Sequence, residues 1–360
     1  MSLKLADRFQ LDSPQISCEP FGNGHINSTF VVRTESGRRY ILQRINTYIF
    51  KDVAGLMHNI FAVTSFLQKQ VRDEDESLCL VPAKDGALWV TEADGSAWRV
   101  FKFIESGVCL EEARDASDFY QSAVAFGRFQ QQMASFPVQT LVETLPGFHD
   151  TPKRFEHFHE AVRSDAADRV SSVRKEIDFL LSREEKAGIM FRMGQTGELP
   201  LRVTHNDTKL NNVMLRKTDH TPLCILDLDT VMPGLSGYDY GDAIRFGAST
   251  AGEDEKNLDL VSVDLDLMRI FTRGFLESCP SFTENEKRCL PLGAWSITTE
   301  QAVRFLADYI EGDPYYKISY PEQNLDRART QLKLVSDMEN KEASIRKMLE
   351  EEIQHAKSLS

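Results

Sequence analysis

The sequence predicts an α+β chain of two lobes. A small lobe over residues 1–104 is built on an antiparallel sheet with one inserted helix; a larger, mainly helical lobe covers 105–360. Three observations carry this. Strand-like stretches crowd the first hundred residues, helical periodicity dominates after residue 105, and 360 residues with 41% apolar side chains suffice for two cores.

The elements follow in order. MSLKLADRFQL reads as a short amphipathic helix. TFVVRT (29–34), RYILQRI (39–45), ALWVTEA (87–93) and AWRVFKFI (97–104) read as strands, with turns at Ser36-Gly37, Asp85-Gly86 and Asp94-Gly95. The inserted helix spans roughly 51–70, where Val53, Met57, Ile60, Val63 and Leu67 recur at spacings of three and four. In the second lobe, Phe119, Ala123, Phe126, Phe129 and Met133 mark one helix, and Val170, Val173, Ile177 and Leu181 another. A third covers 296–311, and a charged C-terminal helix carries Ile345, Leu349 and Ile353. That last helix either packs back on the body or forms a dimer contact. LRVTH and LCILDLD are the later strand-like pieces.

Composition narrows the function classes. A net charge of −13 argues against a nucleic-acid partner, which needs a basic stripe. No run of eighteen apolar residues and no secretory leader are present, so neither a membrane span nor export is expected. Six scattered cysteines, at 18, 79, 109, 224, 279 and 289, lack CxxC spacing and read as reduced thiols of a cytoplasmic protein.

The chemistry concentrates in VTHNDTKLNNVML (203–215), a burst of polar residues walled by apolar ones. Its order is His205-x-Asp207-x4-Asn212, followed fifteen residues later by Asp227 in ILDLD. Phosphoryl transfer from ATP needs an oxygen acceptor held in line and neutralisation of phosphate charge. A carboxylate to take a hydroxyl proton, with an amide oxygen and a second carboxylate to hold Mg²⁺, meets both needs. The competing reading is capping and turn residues of a hairpin, since Asn and Asp favour such positions.

HNDTKLNNVML…ILDLDT resembles the catalytic and metal loops of the aminoglycoside phosphotransferase and choline kinase superfamily, whose fold is protein-kinase-like. The resemblance implies Asp207 as catalytic base, Asn212 and Asp227 as metal ligands, and Asp229 as a further metal partner. His205 then orients the loop. Asp239 and Asp242, in GYDYGDAIRF, fall where the superfamily ties a helix N-terminus to the catalytic loop; helix capping is the physical equivalent. In FGNGHINSTFVV, two glycines before a strand let backbone N–H groups approach phosphates, giving Gly22, Asn23, Gly24 and Asn27 as ATP contacts. His25 sits at the tip of that loop, either solvated or reaching a ligand.

One part of the kinase pattern is missing. A lysine on the third strand normally pairs with a glutamate on the next helix to steady the α- and β-phosphates. Here Gln43 or Arg44 stands at that place, and the helix FKDVAGLMHNIFAVTSFLQKQ has no glutamate.

GNGHINSTF, THNDTKLNN, ILDLDTVMPG, YGDAIRFGAST and RFLADYIEGDPYY together resemble bacterial N-acetylhexosamine 1-kinases over nearly the whole chain. This implies ATP- and Mg²⁺-dependent phosphorylation of the anomeric hydroxyl of N-acetylglucosamine or N-acetylgalactosamine. The implied sugar contacts are His25, Asp207, Asp227, Arg304 and Tyr315. Arg304 lies among Ala302, Val303, Phe305 and Leu306, so its head group needs a partner: a sugar, or Asp308 one helical turn on. Tyr315 is otherwise a simple turn aromatic. Two rival functions stand beside this: a kinase of another small alcohol (aminoglycoside, amino alcohol or different sugar), and a non-catalytic nucleotide-binding protein. Carboxylates clustered near Asp207 would favour a cationic acceptor.

Overall fold

The computed structural model describes residues 2–22, 26–110 and 113–359, in two compact units. The first comprises residues 1–109, 135–146 and 213–233; the second comprises 110–134, 147–212 and 234–360. The expected division lies at 104/105; the chain first leaves the first unit after residue 109. Two later segments return to the first unit, and both returns have a physical cause.

In the first unit, a short helix α1 (Ser2–Ala6) precedes strands β1 (Gln15–Pro20), β2 (Ser28–Thr34) and β3 (Arg39–Ile45). Helix α2 (Val53–Gln68) follows, then β4 (Leu80–Val81), β5 (Val90–Thr91), β6 (Ala97–Lys102) and β7 (Gly107–Cys109). The sheet order is β1-β2-β3-β6-β4, with β5 also on β6, and all these pairings are antiparallel. Gly37 and Gly95 take φ values of 88° and 82°, as the turns before β3 and β6 require. One sheet face carries Phe30, Val32, Tyr40, Leu42, Trp98 and Val100, packed with Leu5 and Phe9 from the N-terminal segment.

β1 was not anticipated, because QISCEP is a half-exposed edge strand with little apolar alternation. The strand expected over 87–93 shrinks to Val90–Thr91.

The returning segments are tied in by backbone pairing and by one buried amide. β7 pairs with the strand Val213–Arg216, which forms a hairpin with Pro222–Ile225. Asn59, 1% exposed on α2, donates to Val142 O (2.7 Å) and Val231 O (3.0 Å) and accepts from Val142 N (2.8 Å). Three hydrogen bonds satisfy the buried amide and anchor both segments.

The second unit is helical: α3 (Ala116–Gln132), α4 (Thr151–Ser164), α5 (Arg174–Leu181), α6 (Glu184–Ala187) and α7 (Ile189–Thr196). After the site loop come α8 (Ser236–Gly247), α9 (Leu265–Ser278), α10 (Glu284–Glu311), α11 (Gln323–Asn340) and α12 (Glu342–Leu359). The helix expected over 170–181 is a 3₁₀ turn, Val170–Val173, running into α5.

Helix α10 begins twelve residues before the expected 296, at a capping box of Thr283 and Glu286. Pro291 lies inside it, which is why the helical pattern in the sequence breaks there. α8 and α10 approach through glycines: a Cβ on Gly293 would lie 2.4 Å from Gly237 O. α12 packs back on its own unit: Ile345, Met348, Leu349 and Ile353 are buried, and buried Glu352 meets Arg269 and Arg273 of α9. No helix among the described residues is long and apolar enough to cross a membrane, and no disulfide joins any of the six cysteines.

Candidate active site

The strand Arg202–Thr204 delivers the chain into the polar loop, and a 3₁₀ turn, Leu210–Asn212, ends it. The loop is held by the first turns of α8. Asp239 accepts from the backbone N of His205 (3.0 Å), from the N of Asn206 (2.8 Å) and from Gln130 Nε2 (2.8 Å). Thr208 donates its hydroxyl to Asp239 O (2.6 Å) and its N–H to Asp242 Oδ2 (3.0 Å). These bonds stabilise Asn206 at φ 65°, a left-handed conformation that a non-glycine residue seldom adopts. His205 is fully buried, its ring edge-on to Phe126 and Phe129. Its Nδ1 accepts from Asp207 N at 3.3 Å. Asp239 thus holds the loop backbone at His205 and Asn206, and His205 bonds the backbone of Asp207.

Electrostatics separates the acids. Burial pushes the Asp239 carboxyl up, while the Asn206 and His205 N–H groups and Gln130 pull against it. Burial would also raise Asp242, but Arg245 and Lys209 hold it below its ordinary value. Asp207 is the accessible one, with a side chain 26% exposed. Its Oδ1 lies 2.9 Å from Lys209 Nζ, and its Oδ2 accepts from Asn212 Nδ2 at 3.0 Å. Asn212 Nδ2 also donates to Asp207 O (2.8 Å). Both amide hydrogens of Asn212 thus face Asp207, and its Oδ1 is left for another partner. Lys209 escaped notice in the sequence because a lysine in a loop ordinarily reads as surface charge.

In the first unit, the turn after the hairpin places Asp227 at φ 52°, ψ 61°, followed by a 3₁₀ turn Leu228–Thr230. Asp229 is 4% exposed, and both its oxygens have protein partners. Arg99 Nη1 lies 2.6 Å from Oδ1, and Asn27 Nδ2 donates to Oδ2 at 2.6 Å. Asn27 Oδ1 accepts from Asn46 N at 3.0 Å, so this amide is likewise occupied by the protein. Asp229 and Asn27, anticipated as metal and ATP contacts, sit in one buried clamp.

The strand register explains the rest of the clamp. Gln43 lies opposite Thr29 on β2 and Arg99 on β6. It donates Nε2 to Thr29 Oγ1 (3.2 Å) and accepts from Arg99 Nε (3.0 Å). Arg44 points to the other face by the two-residue period of the strand, half exposed and 4.0 Å from Asp94. The structure does not bring Arg44 to the Gln43 row. Arg99, 1% exposed, is the buried cation of this sheet, and sequence reasoning missed it. The available signal was an arginine in the middle of the otherwise apolar stretch AWRVF. Gly22 takes φ 73°; Asn23, Gly24 and His25 lie outside the described residues.

Arg304 projects from α10 within the second unit. It donates to Gln301 Oε1 (3.1 Å), with its guanidinium 5.7 Å from the Phe148 ring and 5.6 Å from the Tyr316 ring. The salt bridge to Asp308 does not form. Asp308 instead accepts from Tyr315 N (2.8 Å), Tyr316 N (3.0 Å) and Asn324 Nδ2 (2.8 Å). Tyr315 is 65% exposed, while Tyr316 is the tyrosine beside Arg304. Burial and neighbouring Arg304 hold Arg154 below its ordinary value, and Arg154 Nε is buried without a partner.

Among the described residues, no group of three or more His, Cys, Asp or Glu side chains forms a ready metal cage. Mg²⁺ often uses one or two protein oxygens and completes its shell with phosphate and water. The uncommitted Asn212 Oδ1 and the Asp227 carboxylate are hard oxygen donors of the type that metal takes.

The model of the phosphotransferase enzyme family matches residues 17–265. An aminoglycoside phosphotransferase from Alicyclobacillus acidocaldarius has a similar fold at 15% identity and a TM-score of 0.65, covering 97% of this chain and 96% of that one. Amicoumacin kinase hAmiN, solved with AMP-PNP, Ca²⁺ and Ami, matches at 15% identity and TM-score 0.62, covering 92% of each chain. A microcompartment-associated aminopropanol kinase matches at 16% identity and TM-score 0.60, covering 96% and 98%. These likenesses show the kinase-like fold. With its family match across more than half its length, the chain belongs to the phosphotransferase enzyme family.

Proposed function

We propose that the protein is an ATP- and Mg²⁺-dependent kinase that phosphorylates the anomeric hydroxyl of N-acetylglucosamine or N-acetylgalactosamine. Asp207, Asn212 and Asp227 support the phosphotransfer, and the extended sequence resemblance supports the acceptor. One structural observation favours this acceptor over a cationic one. Arg304 has no carboxylate within ion-pair distance among the described residues, and Arg154 adds a second cation to its surroundings. Two buried acids of the same unit are engaged within the protein: Asp242 with Arg245, and Glu300 with His149 and Thr151. Such a wall suits the oxygens of a neutral sugar and repels an amine.

In this mechanism Asp207 accepts the C1 hydroxyl proton while that oxygen attacks the γ-phosphorus. The bond to the bridging oxygen breaks and ADP leaves. The anomeric hydroxyl is more acidic than an ordinary alcohol, so a modest base suffices. His205, Asp239 and Thr208 keep Asp207 at its station, and Lys209 limits where its carboxylate can turn. Asn212 and Asp227 would hold Mg²⁺, which neutralises phosphate charge when bound. Arg304 and Tyr316 would orient the sugar.

An ADP-release screen over free sugars, aminoglycosides and amino alcohols tests the acceptor. Turnover with N-acetylhexosamines, lost in Asp207→Asn, is expected. Turnover only with aminoglycosides or amino alcohols would overturn the sugar assignment. Nucleotide binding with no transfer to any acceptor would favour a non-catalytic role.

A further inference from the structure

A guanidinium 1% exposed in the middle of a strand is destabilising unless it is paired and hydrogen-bonded. Arg99 is both, and its partners run in one direction. From Thr29 on β2 the row passes through Gln43 on β3 to Arg99 on β6, and from there to Asp229 at 2.6 Å. Asn27 reaches the same carboxylate from the start of β2. The row ends two residues past Asp227, whose φ of 52° lies in the left-handed region, which aspartate enters more readily than most side chains but still seldom.

We propose that Arg99 and Asp229 form a positioning pair that fixes the Asp227 turn to the sheet and thereby sets its affinity for the nucleotide-bound divalent cation. This inference rests on the reading of Asp227 as a metal ligand given above. It assigns Asp229 away from direct ligation, because Arg99 neutralises it and Asn27 takes its second oxygen. On that reading the metal ligand of this turn is Asp227, with Asp229 in support. The sheet is tied to the metal turn through β6 by this pair, alongside the bond from Asn59 on α2 to Val231 O.

The test is Mn²⁺ binding to the full-length protein in the presence of ADP, followed by electron paramagnetic resonance of free Mn²⁺. No acceptor is needed, so an error in the sugar assignment does not affect it. Arg99→Met and Asp229→Asn should each weaken Mn²⁺ binding roughly tenfold or more. The double variant should be no worse than either single one, since each removes the same interaction. Arg99→Lys should recover part of the affinity.

If Arg99→Met does not fold, Arg99→Lys and Asp229→Asn carry the comparison. Their expected order is wild type, then Arg99→Lys, then Asp229→Asn. Direct ligation by Asp229 differs at Arg99: Asp229→Asn abolishes binding while Arg99→Met, or Arg99→Lys, leaves it unchanged or tighter. That pattern, or variants that bind like wild type, overturns the proposal. A wild type that binds no Mn²⁺ with ADP overturns both this inference and the reading beneath it.

Discussion

Asp239 Oδ1 lies 2.8 Å from the backbone N of Asn206, and that bond holds a non-glycine residue at φ 65° one position before Asp207. The same carboxylate takes the N–H of His205. A helix side chain thus shapes the backbone on which Asp207 stands. Asp239→Asn turns one acceptor oxygen into a donor facing an N–H. It should lower unfolding stability by about 1–3 kcal/mol in urea melts. Steady-state kinetics should show kcat falling more than either KM, because the loop is misplaced while the binding groups remain.

In the proposed function Arg304 bears on the acceptor and not on the nucleotide. Arg304→Met should raise the acceptor KM about tenfold or more, with the ATP KM within about twofold. Arg304→Lys should be intermediate, since it keeps charge but loses the planar fork. A parallel rise in both constants would place Arg304 in general folding.

Asp242 gives a pH dependence with a defined sign. Its carboxyl is held below the ordinary value by Arg245 and Lys209, against the effect of burial. A group with a depressed folded-state value stabilises fully above its unfolded value, and the contribution is lost as pH falls through the folded one. Wild type should exceed Asp242→Asn by about 3 kcal/mol near neutral pH, the scale for breaking a buried pair. The gap should close as pH drops below about 4. Melts from pH 7 downward check this; a gap that widens on acidification would contradict it.

Gly293→Ala tests the α8–α10 crossing. The added Cβ would lie 2.4 Å from Gly237 O, a backbone atom that cannot move alone. Destabilisation of about 1–3 kcal/mol is expected, against the usual gain from replacing a helical glycine.

Much of this site was legible in the sequence because its geometry is local. His205, Asp207 and Asn212 lie within eight residues, and the alternation of β2, β3 and β6 appears in short windows. What escaped is long-range. Arg99 finds its meaning in Asp229, 130 positions later, and Gln43 in the cross-strand register. Arg44 misled because adjacent strand residues face opposite ways. Pro291 disguised the first half of α10, since a capping box upstream had already committed that segment to helix. The non-linear division of the chain depends on Asn59, whose bonds to Val142 and Val231 no local pattern discloses.

The central claim is transfer of a phosphoryl group to the C1 oxygen of an N-acetylhexosamine with Asp207 as base. Phosphorus NMR of a reaction containing ATP, Mg²⁺ and N-acetylglucosamine or N-acetylgalactosamine reads the product directly. The account predicts a sugar phosphate ester coupled to the anomeric proton, formed by wild type and reduced at least about a hundredfold in Asp207→Asn. A phosphate coupled to any other sugar proton, or equal product from Asp207→Asn, would contradict it.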